Sequence, residues 1–206
     1  LVTHLPYLFT FERYPELHIP NTTNCLDGFF NQIKKLLRVH NGLSKERRYR
    51  MVFEILNEPN SKLDVPMWNA WAKDLLALIR KSNPTRTVTI GPAFWNNIRY
   101  LDKMELPEAD RNLIVTVHYY LPMAFTHQGA PWNKETAGLS GVEWGSAEER
   151  NRMVEDFAGV QKWAMAARRP ILLGEFGAYD KAPAESRVRY TAAAARQAEA
   201  LGWAWS

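Results

Sequence analysis

Four short, largely apolar runs constrain this chain more than any other feature: MVFEILNE at 51–58, RTVTIGP at 86–92, LIVTVHYY at 113–120 and PILLGEFG at 170–177. A strand that is apolar on consecutive residues, not only on alternate ones, is covered on both faces, which is the condition of a parallel sheet. Helical patterns lie between and around these runs. Leu26, Phe29, Ile33, Leu36 and Leu37 recur at helical spacing before Asn41 and Gly42, and Trp68, Trp71, Leu75, Leu78 and Ile79 do so before Asn83 and Pro84. Ser146 and Glu149 make a capping box ahead of a stripe of Met153, Phe157, Val160 and Ala164. The Ala-rich stretch 186–201 predicts a last helix closed by Gly202, and GWAWS opens one more strand. Strand and helix alternate throughout, as in right-handed βαβ units.

Two α/β architectures satisfy that alternation, a doubly wound sheet and a barrel. No G-x-G-x-x-G follows any strand, so the first lacks its usual phosphate-binding turn. A barrel gathers its chemistry at the C-terminal ends of its strands. Asn57 and Glu58, His118 and Tyr120, and Glu175 all sit at such ends. The expected fold is therefore a (β/α)8 TIM barrel. The segment 121–145, rich in Gly, Pro and Trp, is too long for an ordinary connection and predicts a functional loop.

Side chains alternate along a strand, so Glu54 and Glu58 are expected on one face, with Glu58 at the mouth and Glu54 enclosed and structural. Pro59 cannot donate to a ladder and ends the strand there. Glu175 holds the same place on its own strand. Two rim glutamates suggest a paired-carboxylate mechanism, one group acting as acid and base and the other as nucleophile. The competing reading is two exposed strand-end glutamates without a joint role. His118 and Tyr120, on the inward parity of the strand between, favour the site.

Composition removes several other classes. The chain of 206 residues is read as a single domain over 1–206, and its net charge of +4 is dispersed, which argues against nucleic acid as partner. No apolar run approaches the eighteen or so residues that cross a bilayer, so no membrane span is expected. Cys25 is alone, which excludes an intrachain disulfide, and reads as a small buried hydrophobe. His4, His18, His40, His118 and His127 fall at no ligand spacing, so no metal or other cofactor is expected. Eight tryptophans exceed ordinary packing needs and suggest that some face a ligand.

FEILNEPN from Phe53, NPTRTVTIGPAFWN from Asn83, LIVTVHYYLP from Leu113, FTHQGAPW from Phe125 and ILLGEFGAYD from Ile171 occur in an order that resembles glycoside hydrolase family 5, the cellulase family, and within it the bacterial endoglucanase branch. The resemblance runs from about residue 28 to 206. It implies a retaining endo-β-1,4-glucanase that needs no cofactor, acts on cellulose or related β-glucans, and is secreted. Glu58 would be the general acid and base, and Glu175 the nucleophile. Asn57 would bond the sugar's 2-hydroxyl, while His118 and Tyr120 would hold the carboxylates and ring oxygen. Trp95 and Trp132 would stack on glucose rings, although Trp132 also fits a loop residue packed on its own segment.

The same resemblance implies departures. Only strands four to eight of the barrel are placed, with LVTHLPYLF read as a remnant of strand three, so the barrel is expected to be truncated at both ends. Trp205 aligns one position short of the family's platform tryptophan and is not given that role. Open parallel edges would favour self-association. Three further readings remain beside the glucanase: the same mechanism on mannan or xyloglucan, a catalytically impaired relative that binds β-glucan, and, disfavoured by the dispersed charge, a nucleic-acid binder.

Overall fold

The computed structural model describes residues 53–206. The helix read over 26–40, Cys25, the strand remnant near the start and the first two residues of the run from Met51 lie outside them. Five parallel strands form one sheet in sequential order: β1 (Phe53–Glu54), β2 (Val88–Ile90), β3 (Leu113–Tyr119), β4 (Ile171–Phe176) and β5 (Ala204–Trp205). Helix α1 (Val65–Ser82) crosses from β1 to β2, α2 (Ala147–Ala167) from β3 to β4, and α3 (Ala184–Ala200) from β4 to β5. A 3-10 helix (Ile98–Lys103) follows β2.

The helix ends are held as their sequences dictate. Asp64 caps α1 by accepting from the Met67 amide, Pro66 occupies the first turn, and Arg80 and Lys81 lie in the last turn, where a helix favours cations. In α2 the Ser146 hydroxyl accepts from the Glu149 amide while the Glu149 carboxylate accepts from the Ser146 amide, which is the capping box read from the sequence. Gly202, with φ +75, carries the chain out of α3.

One face of the sheet is packed by helices. Val115, Val117 and Tyr119 of β3 and Ile171 and Leu173 of β4 meet Met153, Phe157 and Val160 of α2 and Tyr190 and Ala194 of α3. Tyr119 donates to Asp156 at 2.8 Å and meets Phe157 edge-on, while Tyr190 donates to the Tyr119 carbonyl at 3.1 Å. Val88 and Ile90 of β2 pack on Trp68, Ala72 and Leu76 of α1. Each buried Val, Leu, Ile, Phe or Met among them contributes about 1.5–3 kcal/mol.

The face that α1 buries differs from the spacing Trp68, Trp71, Leu75, Leu78. Trp71, Leu75 and Leu78 are exposed, and the helix is turned so that Trp68, Ala72 and Leu76 are inside. Polar contacts make the choice: Trp68 Nε1 donates to the Gly91 carbonyl at 2.9 Å, and Asn69 donates to the Lys103 carbonyl and accepts from the Glu105 amide.

The loop 121–145 is held by a few buried residues, while much of its length is exposed. Gln128, fully buried, donates to the carbonyls of Phe125 and Val142 and accepts from the Val142 amide. Its three bonds close the loop on itself, and Phe125 and Trp144 anchor it against Tyr190.

Candidate active site

On the opposite face, β3 presents Thr116 and His118, and Tyr120 follows at its end. Strict alternation along β4 would place Glu175 with Ile171 and Leu173, among the helices. It does not lie there. The register passes from Val117 opposite Leu173 to His118 opposite Glu175, so Gly174 is an extra, bulged residue. The bulge turns Glu175 to the face of His118. Only glycine fits: a Cβ at 174 would stand 2.3 Å from Thr116 Oγ1 and 3.3 Å from His118 Nε2.

Regular pairing in β1 ends at Glu54, although the Ile55 amide still reaches the Thr89 carbonyl at 3.2 Å. Beyond it the chain bends, and Asn57 and Glu58, which alternation would send to opposite faces, both reach the site. Glu58 Oε1 lies 2.7 Å from His118 Nδ1, and Glu175 Oε2 lies 3.5 Å from the same nitrogen. Asn57 Nδ2 donates to Glu175 Oε1 at 3.0 Å, and the Tyr120 hydroxyl donates to Glu175 Oε2 at 2.9 Å. Thus five predicted residues, from the ends of β1, β3 and β4, form one cluster. An oxygen of each glutamate and the imidazole nitrogen lie within 4.8 Å of one another.

Burial pushes the Tyr120 hydroxyl well above the ordinary tyrosine range, and its bond to Glu175 and the charges of Glu175 and Glu58 add to the effect. It therefore remains a donor. Glu54 is exposed, not enclosed as alternation suggested. Loss of hydration still raises its carboxyl above the usual range, with Glu175 adding and His118 opposing. His127 stands edge-on to the Tyr120 ring, centroids 5.2 Å apart, and accepts or donates to Thr126 Oγ1 at 2.8 Å. Burial holds its imidazole below the usual range, with Glu58 opposing.

Beside these groups lies a turn of which the sequence had singled out only Trp95. Phe94, Trp95 and Asn96 all have left-handed φ, at 56°, 63° and 54°. The Trp95 amide donates to the Pro59 carbonyl at 2.8 Å, and Asn97 bridges to His118, so the turn ties the ends of β1, β2 and β3 together.

The two predicted aromatic contacts are both exposed and make no hydrogen bond with the acid cluster through their side chains. Trp95 is 47% exposed on the left-handed turn. Trp132 is 65% exposed on the long loop, edge-on to Tyr179 at 4.8 Å, which is not the buried alternative. Trp205 is half-exposed and donates to Glu199 at 3.2 Å.

With that arrangement in view, comparison with known sequences is decisive. The sequence profile of the cellulase family, glycosyl hydrolase family 5, matches residues 31–206. The chain belongs to that family. Endoglucanase H of Acetivibrio thermocellus is 34% identical over 71% of this chain and 15% of its own length, and endoglucanase 3 of Fibrobacter succinogenes is 25% identical over 98% of this chain and 36% of its own. Among solved structures, Cel5A of Thermotoga maritima in complex with cellobiose superposes with a TM-score of 0.73 at 40% identity, covering 75% of this chain and 50% of that one. The cellulose synthase subunit Z of Clostridioides difficile gives 0.72 at 35%, over 77% and 55%. The chain thus spans well under two thirds of each of these relatives. Its five parallel strands with intervening helices are part of the family's TIM barrel.

Within this family member, Glu58, His118 and Glu175 are also the cluster among the described residues that offers three donor atoms to a cation. Those atoms already serve one another and Tyr120 and Asn57 as hydrogen-bond partners. Sequence reasoning missed three contributors. Gly174 is visible in ILLGEFG as a glycine inside a strand, a known mark of a bulge. Asn96 and His127 lie within the motifs GPAFWN and FTHQGAPW, but no spacing rule assigns either a role.

Proposed function

We propose that this chain hydrolyses β-1,4-glucosidic bonds within cellulose or related β-glucans, with retention of configuration at the anomeric carbon. The observation that carries the proposal is the pair of carboxylates with oxygens within 4.8 Å of each other around His118. Retaining enzymes hold their carboxyl groups about 5–5.5 Å apart, whereas inverting ones leave about 6.5–9.5 Å for a water. The narrow gap supports retention.

Glu175 suits the nucleophile. Each of its oxygens accepts from a neutral donor, Asn57 on one and Tyr120 on the other, which fixes the plane of the carboxyl group. In the first step Glu175 attacks the anomeric carbon while Glu58 gives its proton to the glycosidic oxygen, so the C–O bond breaks and a glycosyl ester forms. In the second, Glu58 takes a proton from water, the water oxygen attacks the same carbon, and Glu175 leaves. One water is consumed and both glutamates return to their starting states.

Trp95 and Trp132 offer exposed aromatic faces on which glucose rings stack beside the cleavage point. Cellulose is an insoluble polymer that cannot enter a cell, so an enzyme of this kind works outside it. No helix among the described residues is long and apolar enough to cross a membrane.

Incubation with carboxymethyl cellulose is expected to release reducing ends, and a β-configured product is expected by proton NMR at early times. Glu175→Ala abolishes both steps. Release that survives this change removes Glu175 from the mechanism. Mannan is the second reading, because Thermotoga maritima Cel5A, 40% identical to this chain, has also been solved with mannotriose. Initial rates on glucan and mannan decide between them.

A further inference from the structure

We infer that Asn96 is a positioning residue that sets the imidazole proton of His118 on Nδ1 and thereby aims it at Glu58. The consequence for turnover rests on the function proposed above; the placement of the proton does not.

Asn96 is fully buried. Its Nδ2 contacts two atoms from different strand ends: the backbone carbonyl of Asn57, and His118 Nε2 at 3.1 Å. A carbonyl oxygen only accepts, so the amide must present its NH2 group to Asn57. The second hydrogen of that group then faces His118 Nε2, which has to accept through its lone pair. A neutral imidazole that accepts at Nε2 carries its hydrogen on Nδ1. That hydrogen meets Glu58 Oε1 at 2.7 Å. One amide thus determines the direction of a hydrogen bond on the far side of the ring.

The surroundings favour this single orientation. Asn96 Oδ1 has no hydrogen-bond partner and lies over Gly91, where a Cβ would come within 2.1 Å of it. The backbone at Asn96 is left-handed, a conformation that asparagine adopts more readily than most residues but that still must be held by its surroundings. A buried acceptor without a donor is a further cost. Both costs are offset elsewhere in the fold, and what they secure is the link from Asn57 through Asn96 to His118 and Glu58. The end of β1 is therefore joined to His118 twice, from the Asn57 carbonyl through Asn96 to Nε2 and from Glu58 to Nδ1.

Nitrogen-15 NMR of the protein labelled on its histidines reads the tautomer without any substrate, with the His118 signals assigned by their absence from His118→Gln. The native protein is expected to carry the proton on Nδ1. Asn96→Asp keeps the shape but presents acceptor oxygens, and should place a proton on Nε2. Asn96→Gly suits the left-handed backbone, removes the donor, and should leave both tautomers populated; it serves also if the aspartate variant fails to fold. In both variants kcat on soluble glucan is expected to fall roughly tenfold to a hundredfold with KM changed by less than about threefold, the size of effect seen when a supporting hydrogen bond is lost. A proton on Nε2 in the native protein, or Nδ1 occupancy unchanged in both variants, overturns the inference. A native protein with the Nδ1 proton that releases no sugar sinks the proposed function alone.

Discussion

At the N-terminal ends of the strands, charge is spent on holding the backbone together; at the C-terminal ends it is left open. Arg80 grips Asp110 with two nitrogens, at 2.7 and 3.1 Å, and donates to the carbonyls of Asn83, Arg86 and Asn112, the last two lying just before β2 and β3. Arg169, just before β4, donates to the carbonyls of Asp110 and Pro107. Both cations reach backbone carbonyls, and Arg80 has all its donors taken between these and Asp110. The opposite end holds two carboxylates bound to side chains from other strands. Glu58 uses one oxygen on His118, and Glu175 one each on Asn57 and Tyr120. A carboxylate has about four acceptor positions, so both keep capacity for a substrate hydroxyl or a proton. Stability and chemistry are thus separated along one sheet.

The comparison is sharpest at Glu58. Glu58→Ala should lower kcat on glucan by at least about a thousandfold, because leaving-group protonation and water activation are both lost. An aryl cellobioside with an acidic leaving group needs no protonation and should lose much less in its first step, seen as a burst of released phenol. Equal losses on both substrates would deny Glu58 the acid role. Thermal unfolding should hardly move.

Gly174→Ala comes next. Its Cβ collides with Thr116 Oγ1 and crowds His118, so activity is expected to drop about a hundredfold, with about 1–3 kcal/mol lost from stability by overpacking. Arg80→Met tests the other end and should show the reverse pattern. Removing a half-buried bidentate pair and leaving Asp110 uncompensated should cost about 2–4 kcal/mol in denaturant unfolding, while kcat well below the melting temperature stays within about twofold. A large kcat loss there would break the separation.

The smallest effect is set by pH. Burial raises Tyr119, Tyr120 and Tyr190 above the ordinary tyrosine range. Above about pH 10 the unfolded chain releases protons that the folded one keeps, so stability is intact below that pH and falls as pH rises through it. Tyr120→Phe removes one of these groups and should make the alkaline loss shallower in urea titrations at pH 9 to 11.

Much of the fold was legible because apolar runs are intrinsic to the sequence. β3 and β4 fall within LIVTVHYY and PILLGEFG, α2 starts at the capping box of Ser146 and Glu149, and α3 ends beside Gly202. The facing of α1 was not legible. Its residues form two apolar stripes, Trp68–Ala72–Leu76 and Met67–Trp71–Leu75–Leu78, and spacing does not choose between them. The bonds of Trp68 to Gly91 and of Asn69 to Lys103 do choose.

The residue types at the strand ends, and hence a pair of carboxylates flanked by an amide, an imidazole and a phenol, are properties of the sequence alone. Their meeting is not. Alternation would have sent Glu175 among the helices and Asn57 away from Glu58. A bulge at Gly174, the bend after Glu54 and the left-handed turn at Asn96 bring them to one face instead. These are departures from regular strand geometry stabilised by contacts between distant segments, and such contacts exist only once the sheet has assembled.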